Sequence, residues 1–256
     1  MRIKLLPSDG GSGTSRSVQF LTTYLVNDLL AMDAGSLGCF ATWEEQQRVR
    51  HVVLSHSHVD HIGTLPIFLE NAHRQAGRPV VIYGSDAVLD ALREHVFNDC
   101  LWPDLEHVGG GVDPLFVFAR LQAGESIELD GVRLTPVPVD HVVPTTGFLL
   151  EQDGSTVVLA MDTGPTDEIW RRATAAGNLR AAFLEVTFPN SMAALARAAK
   201  HLTPAMFAGE AAKLPATTRL IAVHIKASYY DEVVAELKAL GLPNMEVVAP
   251  GEEYVF

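Results

Sequence analysis

Short apolar runs bounded by Gly, Pro, Asn and Asp recur along this chain and predict strands over residues 3–6, 17–26, 29–32, 52–54 and 80–83. Helical patterning falls between and after them, at 65–75 and 87–97. The loop Gly109-Gly110-Gly111 then separates this half from a second group of strands at 115–118, 126–129, 132–139, 146–151 and 156–161. Asp153-Gly154, between the last two, is a hairpin signal. Helices near 167–175, 192–199, 204–213 and 229–240 alternate with strands near 182–186 and 220–224. This pattern is α/β, and two sheets with helices outside would bury it.

The chain has 256 residues and a hydrophobic content of 48%, enough for a substantial core. With no long linker, repeat or low-complexity stretch, a single domain over 1–256 is expected. Nineteen basic against 31 acidic residues give a net charge of −12 without a cluster of Lys and Arg, which disfavours a nucleic-acid polymer as partner. A small anion needs only local positive charge, which metal ions can supply. Cys39 and Cys100 stand among apolar or aromatic neighbours and are expected to be buried thiols in a reducing compartment. No signal-peptide pattern opens the sequence and no apolar run approaches membrane-spanning length, so a cytoplasmic, membrane-free protein is expected.

His56-Ser57-His58-Val59-Asp60-His61 packs four potential metal ligands into six residues, right after the strand-like Val52-Val53-Leu54 and before Gly63. On a strand-to-helix loop, alternate residues of an extended segment share a side, so His56 and His58 point to one metal while Asp60 and His61 turn toward a second. Imidazole and carboxylate donors favour zinc, with manganese or iron as alternatives. A single structural zinc would recruit cysteine, and this stretch has none. Further ligands are expected where rigid strands end: His141 after Val139-Asp140, Asp162 after 157–161, and His224 after 220–223. Singly, each reads as a strand-end cap; with the six-residue run they make seven ligands. His51, His73 and His107 have no such company.

These motifs resemble the metallo-β-lactamase superfamily, with Asp33 of Asp33-Ala34-Gly35 as the first of its motifs. The resemblance implies an αβ/βα four-layer sandwich of two mixed sheets flanked by helices. It also implies two divalent metal ions: one held by His56, His58 and His141, the other by Asp60, His61 and His224, with Asp162 bridging and Asp33 supporting the loop from behind. More narrowly, the chain is similar to class II 3′,5′-cyclic-nucleotide phosphodiesterases. The similarity lies in 55–63, in His95-Val96-Phe97-Asn98 with Leu101-Trp102-Pro103-Asp104-Leu105, and in Asp162-Thr163-Gly164-Pro165. It continues in 183–190, in His201-Leu202-Thr203-Pro204 and in His224-Ile225-Lys226. Two departures stand out: Asp140 precedes His141 where Ser is expected, and no glycine precedes His201.

The implied reaction is hydrolysis of cyclic AMP or cyclic GMP to the 5′-monophosphate, with a hydroxide shared by the two metals as nucleophile. Asp60 belongs to the catalytic group as well as to the ligands. His201 is the expected acid for the leaving 3′-oxygen, paired with Glu185 as a comparable histidine is in the related transfer-RNA 3′-processing enzymes. Thr203-Pro204 also reads as a helix start, which would make His201 a bystander to a cap. Trp102, Phe97 and Phe188 are candidates to stack on a base, Asn98 and Asn190 to read its edge or the ribose, and Lys226 to contact phosphate. The family resemblance implies a homodimer.

Three rivals share parts of this pattern. A two-metal hydrolase of a carboxylic ester, thioester or lactone would use the same activated water. A transfer-RNA 3′-processing nuclease would call for a basic surface or a protruding arm that the composition lacks. A silent metal-binding module would have lost a ligand, and none of the seven is missing. The di-iron redox branch usually carries a glutamate where His58 stands.

Overall fold

The computed structural model describes residues 1–8, 19–40, 42–72, 79–106 and 114–256. Two seven-stranded mixed sheets lie face to face with helices on their outer surfaces. The first runs in the order β14-β1-β2-β3-β4-β5-β6. Its strands are β1 (Arg2–Leu5), β2 (Tyr24–Val26), β3 (Leu30–Met32), β4 (His51–Val53), β5 (Val80–Gly84), β6 (Phe116–Arg120) and β14 (Glu253–Val255). The second runs β13-β12-β11-β10-β9-β8-β7. It consists of β7 (Ile127–Leu129), β8 (Val132–Val139), β9 (Thr145–Gln152), β10 (Ser155–Leu159), β11 (Leu179–Glu185), β12 (Arg219–Val223) and β13 (Met245–Val247).

The strands read as continuous apolar runs because both of their faces are buried. Val157 and Leu159 of β10 point into the core between the sheets, with Phe148, Phe183, Ile221 and, from the first sheet, Ile3, Tyr24 and Met32. Val158 and the following Ala160 point the other way, against Trp170, Phe207, Val233 and Leu237. Those outer residues belong to α5 (Glu168–Ala176), α7 (Pro204–Ala211) and α8 (Tyr230–Ala239). The first sheet is covered likewise by α3 (Leu65–Ala72) and α4 (Asp86–His95) through Phe68, Leu69, Val88 and Leu92. Three short helices complete the set: α1 (Trp43–Gln46), α2 (Val59–Ile62) and α6 (Ala193–Ala199).

Each sheet is antiparallel on one flank and parallel on the other: β3-β4-β5-β6 and β10-β11-β12-β13 run parallel. The carboxyl ends of these parallel strands therefore open on one edge, where loops rather than ladders follow. Those loops carry Asp33, His56, Asp162 and His224, and Glu185 is the last residue of β11.

The structure changes several expectations. Of the strand expected at 17–26, the described residues 19–26 form only Tyr24–Val26; Thr22 N–H donates instead to Asp60 O of α2, and Thr23 O accepts from Leu6 N–H. Residues 17–18, 73–75 (the end of the expected α3), 109–111, His73 and His107 lie outside the described residues. Strands β13 and β14 and helix α1 were not expected; each is only three or four residues long, too short to show a period. Residues 59–62, expected as extended loop, form a helical turn. Cys39 and Cys100 are exposed, not buried. Cys39 ends a 3-10 turn whose Leu37 and Gly38 take the inward positions, and Cys100 sits in a turn organised by Asn98. No described helix is long and apolar enough to cross a membrane.

Candidate metal centre

The loop after β4 builds the first part of the site. His58 retains an extended backbone (φ −66°, ψ 145°) and starts α2, so His56 and His58 share a side before the chain coils. The helical turn then swings Asp60 and His61 toward a different group of residues. Three overlapping clusters result: His56, His58, His141 and Asp162 in one, Asp60, His61 and His224 in the second, and Asp162, His201 and His224 in the third, with the donor atoms of each lying within 4.8 Å of one another. Asp162 faces the first two, with Oδ1 3.3 Å from His61 Nε2 and Oδ2 3.5 Å from His224 Nε2 and 3.8 Å from His56 Nε2. His141 follows β8, and His224 follows β12 in a left-handed conformation (φ 60°) that turns its ring back over the strand ends.

The site has a supporting layer that fixes which nitrogen of His56, His61, His141 and His224 faces inward. The fully buried Asp33 receives His61 Nδ1–H at 2.6 Å and the Ser55 backbone N–H at 2.7 Å; Ser55 Oγ lies 2.7 Å from its other contact, Asp33 Oδ2, and 2.9 Å from His56 Nδ1. His141 Nδ1 lies 3.1 Å from the carbonyl of Lys200. Thr187 Oγ1 sits 2.9 Å from His224 Nδ1 and donates to Glu185 Oε2 at 2.7 Å. Outward nitrogens are thus bonded to protein and inward ones are left to a ligand. Neither Ser55 nor Thr187 was singled out by sequence; a hydroxyl one residue before the first histidine, and one two residues beyond Glu185, were the only signals.

Electrostatics divide the site. Burial, reinforced by His61, pushes His56 well below the usual imidazole range, and burial also lowers His58 and His141. Their lone pairs are available. Burial opposes a charged His61 too, but Asp162 and Asp33 outweigh it and raise it well above that range. Against its own burial, Asp162 is held ionised by His224 and His61.

The residues fit divalent metal ions on three counts. His56 Nε2 and His61 Nε2 are buried without a hydrogen-bond partner, which leaves costly orphan groups unless a cation meets them. His58 Nδ1 and His141 Nε2 face each other at 3.3 Å, an arrangement a shared cation would reconcile. The donors are imidazole and carboxylate, a set suited to first-row divalent ions.

Beside this cluster stands His201, its Nδ1 at 2.6 Å from Glu185 Oε1 and its ring stacked on that of His224 at 5.5 Å and 18°. The Glu185 carboxylate is completely buried and also accepts from Thr163 N–H and Leu202 N–H. Burial works against a charged His201, and Glu185 more than offsets it, raising the imidazole. Thr203 does cap α7, its Oγ1 accepting from Met206 N–H, so the helix-start reading of 201–204 and the His201–Glu185 pair coexist. Lys226 Nζ lies 3.4 Å from Asp60 Oδ2 at the rim.

The other sequence candidates are engaged elsewhere. The Asn98 amide donates to Glu94 O and accepts from Cys100 and Leu101 N–H, closing its own turn. Asn190 Oδ1 caps the first turn of α7 through Ala205 N–H. Trp102 packs against the core under the first sheet and pairs with Phe97, whose ring lies tilted at 43° against that of Phe116. Phe188 is the aromatic placed at the site, its ring 5.8 Å from His201 and 6.1 Å from Tyr229.

Residues 33–225 match the family model of the β-lactamase superfamily domain. The chain belongs to this superfamily. The fold agrees: unliganded yeast PDE1 superposes with a TM-score of 0.80 over 98% of each chain, at 16% identity. Among curated relatives, a probable 3′,5′-cyclic-nucleotide phosphodiesterase of Yersinia pestis is 26% identical over 237 residues, covering 76% of this chain and 67% of that protein. A ribonuclease Z of Mycobacterium bovis is 33% identical over 137 residues. That match takes in 50% of this chain and about half (49%) of the relative's length. The superfamily member described here is therefore a metallo-β-lactamase-fold hydrolase with a His/Asp cluster built for divalent metal ions.

Proposed function

We propose that this hydrolase cleaves 3′,5′-cyclic nucleotides to 5′-monophosphates, using two divalent ions, zinc by preference of the donor set and manganese or iron as alternatives. The observation that carries the reading is the Glu185–His201 pair beside the metal cluster. A thioester expels a thiolate that leaves without a proton; a ribose 3′-alkoxide is a poorer leaving group and gains from a placed acid. Support also comes from the likeness to yeast PDE1 over 98% of both chains and from the Yersinia relative. The net charge of −12 favours a small substrate over an RNA polymer, although a ribonuclease Z relative matches half of this chain.

His56, His58 and His141 would hold one ion, Asp60, His61 and His224 the other, and Asp162 both. Bound there, the ions would supply Lewis acidity, drawing charge from the phosphoryl oxygens and lowering the pKa of water. The chain's own part is to aim and to donate. The Lys226 ammonium at the rim offers charge to a phosphate oxygen, and Phe188 offers a face to the base. Water adds to phosphorus and gives up a proton to solvent, the P–O3′ bond breaks, and O3′ takes the proton from His201 Nε2, which solvent restores, while Glu185 keeps Nδ1–H in place.

The test is turnover of cyclic AMP and cyclic GMP by metal-analysed protein, with products separated. Release of 5′-monophosphate is expected. Cleavage of a transfer-RNA precursor, a thioester or a lactone by a sample inert to cyclic nucleotides would overturn the substrate assignment.

A further inference from the structure

Asp140 and Lys200, on two different loops of the site, meet in space. Lys200 Nζ lies 2.7 Å from Asp140 Oδ1, across 60 residues of sequence. Each stands immediately before a site histidine: Asp140 before His141, Lys200 before His201.

The backbone around the pair makes the meeting consequential. Lys200 ends α6 in the left-handed conformation (φ 53°, ψ 54°), with its N–H donating to Ala196 and Arg197 carbonyls and the next N–H, of His201, to Ala196 O at 2.8 Å. Glycine takes that conformation freely and lysine does not. What the conformation achieves is to turn the Lys200 carbonyl toward His141 Nδ1, 3.1 Å away, while sending His201 toward Glu185. The third loop of the site joins here too. Gly164 N–H donates to Asp140 O at 2.7 Å, Asp140 N–H donates to Thr163 Oγ1 at 3.2 Å, and a Cβ on Gly164 would touch Asp140 and the Lys200 Cα. The junction is next in sequence to His141, to His201 and, through Thr163, to Asp162.

We propose that Asp140 and Lys200 are a positioning pair, an ionic clasp that holds the β8–β9 loop against the α6–α7 turn and so sets His141 relative to His201. The assignment of His141 as ligand and His201 as acid rests on the function proposed above. The pair is half exposed, with side-chain exposures of 52% for Asp140 and 41% for Lys200. Exposed ion pairs add little to global stability, so geometry is what such a clasp can change.

The experiment compares Lys200→Met, Asp140→Asn, Lys200→Gly and the charge exchange Asp140→Lys with Lys200→Asp. Lys200→Gly removes the ammonium while relieving the left-handed residue, so it folds at least as well as the parent. Three readouts are taken: melting temperature, zinc affinity of apoprotein by calorimetry, and hydrolysis of cyclic AMP and of bis(p-nitrophenyl) phosphate. Loss of the clasp should lower kcat about tenfold with KM nearly unchanged, and weaken zinc binding by a similar factor, the low end for partners behind a metal ligand. Melting temperature should hold, Lys200→Met combined with Asp140→Asn should be no worse than either alone, and the charge exchange should recover much of the loss. Additive effects, or zinc affinity and kcat both unchanged in Lys200→Gly, would overturn the pair. Should the parent hydrolyse neither phosphodiester, the function fails, while zinc affinity still decides the clasp.

Discussion

Glu185 Oε1 lies 2.6 Å from His201 Nδ1, and the same carboxylate reaches the candidate ligand His224 through the Thr187 hydroxyl. One fully buried side chain thereby contacts the proposed proton donor and, through Thr187, a candidate metal-ligating imidazole. Its position follows from strand register: Glu185 ends β11 directly opposite Val223 of β12, the residue before His224.

Glu185→Gln should lower kcat by about 10²-fold, the lower end of what a general acid contributes. The new amide N–H₂ would also face a donor, Thr163 N–H on one side or Leu202 N–H and Thr187 on the other. A further loss of about 1–3 kcal/mol of stability is expected. Steady-state kinetics with thermal unfolding check both; an unaltered kcat would remove His201 and Glu185 from the reaction.

Thr187→Val keeps the volume of a completely buried side chain and deletes its hydroxyl. His224 Nδ1 then loses its partner, and metal affinity should fall by about 10–100-fold. Thr187→Ser should stay within a few-fold of the parent. Competitive chelator titration reads the difference, and equal behaviour of the two variants would contradict it.

Asp33→Asn tests the support behind His61. Asparagine accepts the left-handed backbone at this position (φ 61°), so the effect is chemical. The amide cannot satisfy Ser55 N–H on one oxygen and both His61 Nδ1–H and Ser55 Oγ on the other as the carboxylate does. Metal content after dialysis should drop, with affinity lower by about 10–100-fold, measured by elemental analysis and calorimetry.

Gly35→Ala should prevent accumulation of folded protein. A Cβ there would lie 2.0 Å from the Asp60 carbonyl oxygen and 2.7 Å from Thr22 N, both backbone atoms that cannot move aside. A loss above about 4 kcal/mol is expected. Soluble yield and circular dichroism decide, and a folded, metal-replete variant would show that the 19–23 segment can separate from α2.

Removal of metal by a chelator should abolish hydrolysis reversibly and lower the melting temperature. Ligand binding stabilises by about 2.7 kcal/mol when the free ion stands at 100 times its Kd, and the loss on chelation should be of that order. The orphaned His56 and His61 nitrogens give the physical reason. An unchanged melting temperature would mean the apoprotein is already fully satisfied.

Much of this architecture was legible in residue order. Runs such as 157–160 are apolar throughout because one alternate set packs between the sheets and the other under the helices, and that double burial distinguishes an interior strand from a surface one. The density of His and Asp at 56–61 announced the cluster. The short strands at 245–247 and 253–255 carried no periodic signal, and Asn98 closes its own turn, Asn190 caps α7 and Trp102 packs against the core under the first sheet.

Sequence by itself determined the layered α/β fold and the identity of the metal-ligand candidates, because burial periodicity and the donor chemistry of a side chain are local properties. Tertiary structure decided which imidazole nitrogen faces inward, that Thr187 joins Glu185 to His224, and that Asp140 closes on Lys200. Those depend on parallel strands far apart in the chain ending on one edge, and hydrogen bonds between such ends leave no trace in the spacing of residues along it.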